Sequence, residues 1–141
     1  MMLCSGFDSV LSGSTCISLL LYHDFILSAN VGDSRAVLYE KKQGIWKSTP
    51  LSMDHKPDNV LEAARVRKRG GRIEQSRLQV GQCLPSQVGT PYGPLRVWLK
   101  TKPLPGLAMT RSVGDTIAQE VGVIEEPEIK VFGSQTLPDE G

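Results

Sequence analysis

Two apolar runs, Phe25-Ile-Leu-Ser-Ala-Asn-Val31 and Ala36-Val-Leu-Tyr39, are separated by little more than Gly32-Asp33. Both runs read as buried β-strand, and the joint between them reads as a sharp reversal for which Gly32 supplies positive φ. Asp33 then stands at the end of a sheet with its carboxylate free of the core. A carboxylate on a rigid sheet end is a start on a hard-cation site, because Mg²⁺ and Mn²⁺ prefer oxygen ligands in fixed geometry. The competing reading is that Asp33 only caps its turn, as Asp often does.

The same pattern extends on both sides. Thr15 to Tyr22 reads as a strand, His23-Asp24 as a turn, and Gly44 leads into a further strand from Ile45 to Leu51. Residues 14 to 52 therefore predict a β-meander, since short strands with short connections make antiparallel sheet. A helix is predicted from Asn59, whose N-x-x-E pattern with Glu62 resembles a capping box. Val60, Leu61, Ala64 and Ala63 are its expected apolar face. Arg67, Lys68 and Arg69 suit its last turn, and Gly70-Gly71 ends it. Residues 76 to 106 hold so many Gly and Pro that no long regular element is expected there. A second helix is expected over about Val113 to Val121, and a strand over Glu128 to Phe132.

Composition narrows the class. Apolar content of 40% and charged content of 22% in 141 residues suit a globular domain rather than a disordered chain. A net charge of +1 gives no general steering toward nucleic acid or membrane. Cys4, Cys16 and Cys83 form an odd set without metal-type spacing, which argues for a reducing compartment. Cys16 is expected in the core. The N-terminal residues make a poor signal peptide, and the run Cys16 to Tyr22 is too short to span a bilayer. A soluble cytoplasmic or nuclear protein is the expectation.

Further motifs follow the Gly-Asp-Ser turn in order: Asp54-His-Lys-Pro57, Gly70-Gly-Arg-Ile73, Gly106-Leu-Ala-Met-Thr-Arg-Ser-Val-Gly-Asp115 and Glu126-Pro-Glu-Ile129. With the Gly13-Ser-Thr15 start, this series resembles the metal-dependent protein phosphatases, the type-2C serine/threonine family. The resemblance runs from about residue 13 to 132. It implies an α+β fold, a four-layer αββα sandwich of antiparallel sheets flanked by helices, here partial and incomplete at both ends. It also implies that residues 1–141 are the central part of one phosphatase-like domain, with 56–106 as a flap-like segment beside the active site.

In that family two metal ions share the water that attacks phosphorus. Its principal ligands lie in an Asp-Gly-His-Gly-Gly element, an upstream Glu-Asp pair, and later Asp-Gly-x-Trp-Asp and Asp-Asn elements, none of which occurs here. The resemblance makes Asp33 an accessory metal ligand, and Mg²⁺ or Mn²⁺ the cofactor of the intact domain. No catalytic residue is assigned within this chain, which is expected to be inactive alone.

Other residues invite chemistry. Asp54 and His55 could form an acid-base pair, but neighbours on an extended chain point apart, and His55 is read as structural. Asp54 and Lys56 are expected to hold the entrance to the helix. Arg111 and Asp115 could bind phosphate and metal; the adopted reading is that Asp115 caps a helix while Arg111 is buried in an ion pair. Arg65, Arg67, Lys68, Arg69 and Arg72 read as a solvated helix face, or as a docking face for acidic protein. No aromatic residue lies between Trp46 and Tyr92 to make a nucleic-acid platform. Trp98 reads either as core or as an exposed anchor for a partner.

The functional expectation is a protein serine/threonine phosphatase acting on phosphoprotein substrates, with neither nucleic acid nor membrane as partner. The alternative is a non-catalytic binding module on the same scaffold. Nothing in the chain specifies an oligomeric state.

Overall fold

The computed structural model describes residues 8–78 and 89–133. Along the chain run β1 (Gly13–Ser14), β2 (Cys16–Tyr22), β3 (Phe25–Val31), β4 (Val37–Lys42), β5 (Ile45–Pro50), α1 (Val60–Lys68), β6 (Arg72–Leu78), β7 (Thr90–Trp98), β8 (Pro105–Leu107), β9 (Val113–Gly114), α2 (Thr116–Gln119) and β10 (Glu128–Phe132). All pairings between these strands are antiparallel. This is the expected α+β class of antiparallel sheets with helices.

The expected meander divides. β2 and β3 form one hairpin and β4 and β5 another, but β3 takes β10 as its second neighbour rather than β4. In the β4–β5 hairpin Lys42 pairs with Ile45, and the two loop residues both have positive φ: Gln43 at 51° and Gly44 at 82°. That is the geometry whose twist matches the flanking strands. Among the described residues β2 has β3 as its single neighbour, most of its side chains are exposed, and Cys16 is exposed rather than in the core. Cys4 and Cys83 lie outside the described residues.

Helix α1 starts where its cap dictates: the Asn59 side chain accepts from the backbone N–H of Leu61 and Glu62. Its buried face differs from the expected one. Glu62, Ala63 and Val66 are buried, whereas Val60 and Leu61 are 79% and 78% exposed and Ala64 is exposed too. The inward stripe is set by what the helix packs on, and Glu62 lies in it because cationic side chains wait there.

The Gly/Pro-rich stretch contains more order than its composition predicts. β7 is nine residues long and pairs with β6, despite Pro91, Gly93 and Pro94. The register moves from Gln75↔Leu95 to Ser76↔Tyr92, so Gly93 and Pro94 loop out in a bulge. A bulge leaves its extra residues without ladder partners, where proline's missing N–H costs nothing. The second helix is likewise shorter than expected. Gly114 and Asp115 have φ of 97° and 47°, which no helix accommodates, and Val113–Gly114 pairs with Ser14 and Gly13 instead.

The principal core lies where α1, α2 and the β6–β8 sheet meet. Val66, Val97, Ala118 and Val123 are at most 1% exposed there, with Leu99 and Val121 beside them and Ile73, Leu107 and Ile117 packed around. Trp98 is neither fully core nor a free anchor. Its indole N–H donates to the Glu74 carbonyl at 3.0 Å, and its ring lies where a side chain on Gly106 would be. Among the described residues no helix is long and apolar enough to cross a membrane.

Candidate functional site

Asp33 follows the last residues of β3 on a turn that other residues hold. Gly32 has φ of 102°, and a Cβ there would lie 2.4 Å from the Thr15 methyl group, so only glycine fits. The Gly32 N–H donates to His55 Nδ1 at 3.2 Å, and the His55 N–H donates to the Gly32 carbonyl at 3.0 Å. Asn30 Nδ2 donates to the carbonyls of Gly32 and Met53, and the Ser34 hydroxyl meets that of Thr15 at 2.8 Å. The turn is thus fixed through Gly32, Asn30, Ser34 and His55. The half-buried Asp33 carboxylate faces a cleft.

His55 is structural in its setting. It is fully buried, and its carbonyl also accepts from the Thr110 N–H at 2.8 Å. One residue therefore ties the end of β3 to the segment leading into β9. Burial pushes its pKa below the ordinary value of 6.5, with the nearby Arg111 charge adding to the effect. Because Nδ1 accepts, the neutral ring carries its proton on Nε2, which is buried and finds no partner among the described residues.

Below His55 lies a buried ionic cluster. Glu62 accepts from Arg65 Nη2 at 2.5 Å, from Arg111 Nη2 at 2.8 Å and from the Thr110 hydroxyl at 2.7 Å. Burial alone would raise the Glu62 pKa, but these donors outweigh it and bring it from 4.5 down to about 2. Arg65 also donates to the carbonyls of Thr110 and Gly122, and Arg111 to that of Glu126. The ion pair expected for Arg111 is present, with Glu62 as the acid, so the guanidinium is committed to the interior.

The expected cap at Asp115 is not. Asp115 adopts a left-handed backbone, its side chain makes no capping bond to α2, and Oδ2 accepts from the Ser112 hydroxyl at 2.6 Å. A Cβ on Gly13 would lie 2.0 Å from that oxygen, so β1 packs directly on the carboxylate. Asp115 serves as a clamp between β1 and β9. At the helix entrance Asp54 takes two bonds of 2.9 Å from Arg35 and lies 3.2 Å from Lys56 Nζ. Arg35 chiefly, and Lys56 with it, hold the Asp54 pKa below 3.8. In the basic cluster, Arg65 and Arg72 are engaged internally, and Arg67, Lys68 and Arg69 are the exposed remainder.

The cleft has two lobes that share Asp33 and Ala108. The larger, about 460 Å³, also holds Arg96, Leu104, Met109 and Asp115; Arg96 Nη1 is anchored on the Gly106 carbonyl at 2.8 Å. The smaller, about 390 Å³, lies between Lys56-Pro57-Asp58 and Pro94-Leu95. Sequence reasoning missed Arg96, Pro94, Leu95 and Ala108 as cleft residues. The Pro94-Leu95 wall depends on a bulge, and no local pattern distinguishes Ala108. Among the described residues no group of three or more His, Cys, Asp or Glu converges as a metal site.

The family model for protein phosphatase 2C matches residues 5–140. The chain belongs to the protein phosphatase 2C family. Among its relatives, "Probable protein phosphatase 2C 35" of Arabidopsis thaliana is 38% identical over 136 residues, covering 90% of this chain and 38% of the relative. "Probable protein phosphatase 2C 12" of Oryza sativa subsp. japonica is 37% identical over 123 residues, covering 86% and 28%. The chain thus spans well under half the length of these relatives. Among solved structures, a serine-threonine phosphatase 2C from Toxoplasma gondii superposes with a TM-score of 0.71 at 19% identity, over 94% of this chain and 40% of that one. At that identity the likeness is one of fold, and it agrees with the α+β sandwich.

Proposed function

We propose that this chain is the central part of a phosphatase domain that removes phosphate from phosphoserine and phosphothreonine in proteins, with Mg²⁺ or Mn²⁺ as cofactor. The observation that carries the reading is Asp33: its turn is fixed by other residues, and its carboxylate lines both lobes of the cleft. A half-buried carboxylate oxygen on a rigid sheet end fits a hard divalent ion, so Asp33 passes the chemical test for an accessory ligand. A bound ion of this kind supplies an activated water and neutralises charge developing on the phosphoryl group.

Residues of this chain act around that centre. His55 and Asn30 hold Gly32 so that Asp33 keeps one position, and the Glu62 cluster fixes the floor beneath His55. Strand β7 carries Arg96 and Leu95 along the cleft, and the flap-like segment of the proposal is 56–106. One carboxylate does not hold such an ion firmly by itself. The chain alone is therefore expected to show no turnover of a phosphopeptide or p-nitrophenyl phosphate with Mn²⁺. Residues 13–132 grafted in place of the matching segment of the Arabidopsis relative should restore turnover, and Asp33→Asn in that graft should lower kcat. Wild-type kcat and metal dependence in the Asn variant would remove Asp33 from the metal site.

The absence among the described residues of a three-ligand group favours a second reading, a non-catalytic binding module on the same scaffold. A grafted domain that folds, binds phosphopeptide and never turns it over would establish that reading instead. A cytoplasmic or nuclear location remains part of the proposal.

A further inference from the structure

The smaller lobe of the cleft differs from the larger in chemistry. Pro57, Pro94, Leu95 and Ala108 make its walls, Asp33 stands at its junction with the other lobe, and Lys56 and Asp58 complete its lining. Pro57 is buried and Asp58 exposed, so the apolar surface lies inward and the acid outward. Lys56 is held back on Asp54. The opposite wall is the β7 strand at its bulge: Gly93 and Pro94 have no ladder partner on β6, and Pro94 and Leu95 line the lobe across from Lys56-Pro57-Asp58.

Both flanks of this lobe are fixed. Asn59 caps α1 directly after Lys56-Pro57-Asp58, and the Gln75 amide donates to the Gly93 carbonyl at 2.7 Å across the bulge. An apolar recess with prebuilt walls loses little order when it is filled, so the area it buries converts efficiently into affinity. Its distance from the chemistry is set by a shared residue. Because Asp33 lines both lobes, a residue bound at Asp33 places its chain neighbours within reach of the recess, at about 3.3 Å per extended residue.

We propose that this lobe is a substrate subsite that receives an apolar side chain flanking the phosphorylated residue of a protein substrate. The inference rests on the phosphatase reading above and names the substrate class within it: phosphoserine or phosphothreonine next to an aliphatic residue, rather than in an acidic or uniformly polar context. Leu95 is the specificity-determining contact. It is 36% exposed and supplies the largest apolar side chain of the walls.

The test measures affinity of the grafted domain carrying residues 13–132, in Mn²⁺ and read by stopped flow before turnover, for fluorescein-labelled phosphothreonine peptides that differ only in having Leu or Ser beside the phosphothreonine. An unphosphorylated Leu peptide serves as the third probe. The Leu phosphopeptide should bind about tenfold more tightly than the Ser one. Leu95→Asp should abolish that preference, and Leu95→Ser gives the same readout should the Asp variant fail to fold. Equal affinities for the Leu and Ser phosphopeptides would overturn the subsite while phosphate-dependent binding left the phosphatase reading standing. A preference that survives in both Leu95 variants would place the apolar contact elsewhere. Equal binding of phosphorylated and unphosphorylated Leu peptides would overturn the phosphatase reading, with the Leu-to-Ser ratio still deciding the recess. Failure to bind any peptide would overturn both.

Discussion

The half of the molecule around α1, α2 and the β6–β8 sheet differs sharply from the β2–β3–β10 sheet. The first buries Val66, Val97, Ala118 and Val123 almost completely and encloses the Glu62 cluster. The second is apolar but open. Its register places Leu20, Leu27 and Val131 in one row and Tyr22 beside Phe25 on the same face. Leu20, Tyr22, Phe25 and Val131 are 58%, 65%, 52% and 62% exposed. Similar side chains thus contribute very different stability, since apolar area stabilises only when water leaves it. Asp33 follows β3 in sequence, but His55 and Asn30 anchor its turn toward the packed half. The candidate site borrows its rigidity from there.

The largest expected effect is at Glu62. Glu62→Ala strands two arginines that the cluster was built around, and breaking such a buried pair costs about 3–5 kcal/mol. Arg65 and Arg111 keep 24% and 16% side-chain exposure, which puts the loss near the lower end. Chemical denaturation checks it, and a loss under about 1 kcal/mol would reduce the cluster to a surface ion pair.

Acid should expose the same dependence. Glu62 has a folded pKa below its unfolded value, so its contribution is complete above about 4.5 and is lost as pH falls toward about 2. His55 is also depressed, so its neutral form stabilises the fold above about 6.5 and its contribution declines below that pH. Stability should fall gently below pH 6.5 and steeply below 4.5, as followed by thermal melts across pH. In Glu62→Gln the steep part should flatten. Melting independent of pH from 7 to 3 would contradict both assignments.

A matched pair of truncations isolates the contrast. Val66→Ala removes two buried methyl groups and should cost about 2–3 kcal/mol. Leu20→Ala removes more carbon from the open sheet and should stay within about 0.5 kcal/mol. Equal losses would mean that the open face is covered in solution.

What was legible in the sequence follows the range of the forces involved. The α1 cap at Asn59 and the strand from Glu128 to Phe132 depend on neighbouring residues, and both stand where the pattern put them. Glu62 looked like half of a capping box, but its partners Thr110 and Arg111 lie 48 and 49 residues away. No local pattern encodes that distance. β7 was hidden because Gly93 and Pro94 are absorbed by a bulge, which is a property of the pair of strands. Cys16 looked like core because composition records hydrophobicity and not whether a neighbouring layer is there. At the site, the turn that carries Asp33 was legible, whereas the His55 bridge and the Leu95 wall required the fold.

The central claim is that Asp33 offers a metal-binding oxygen on a turn that does not need it. Mn²⁺ titration of the isotopically labelled chain, read as paramagnetic broadening of individual amide signals, tests this most directly and does so even at weak affinity. The account predicts broadening centred on Gly32, Asp33, Ser34 and Ala108. In Asp33→Asn that broadening should vanish while the melting temperature stays unchanged. Broadening of the same signals in Asp33→Asn, or broadening centred on another acid, would contradict it.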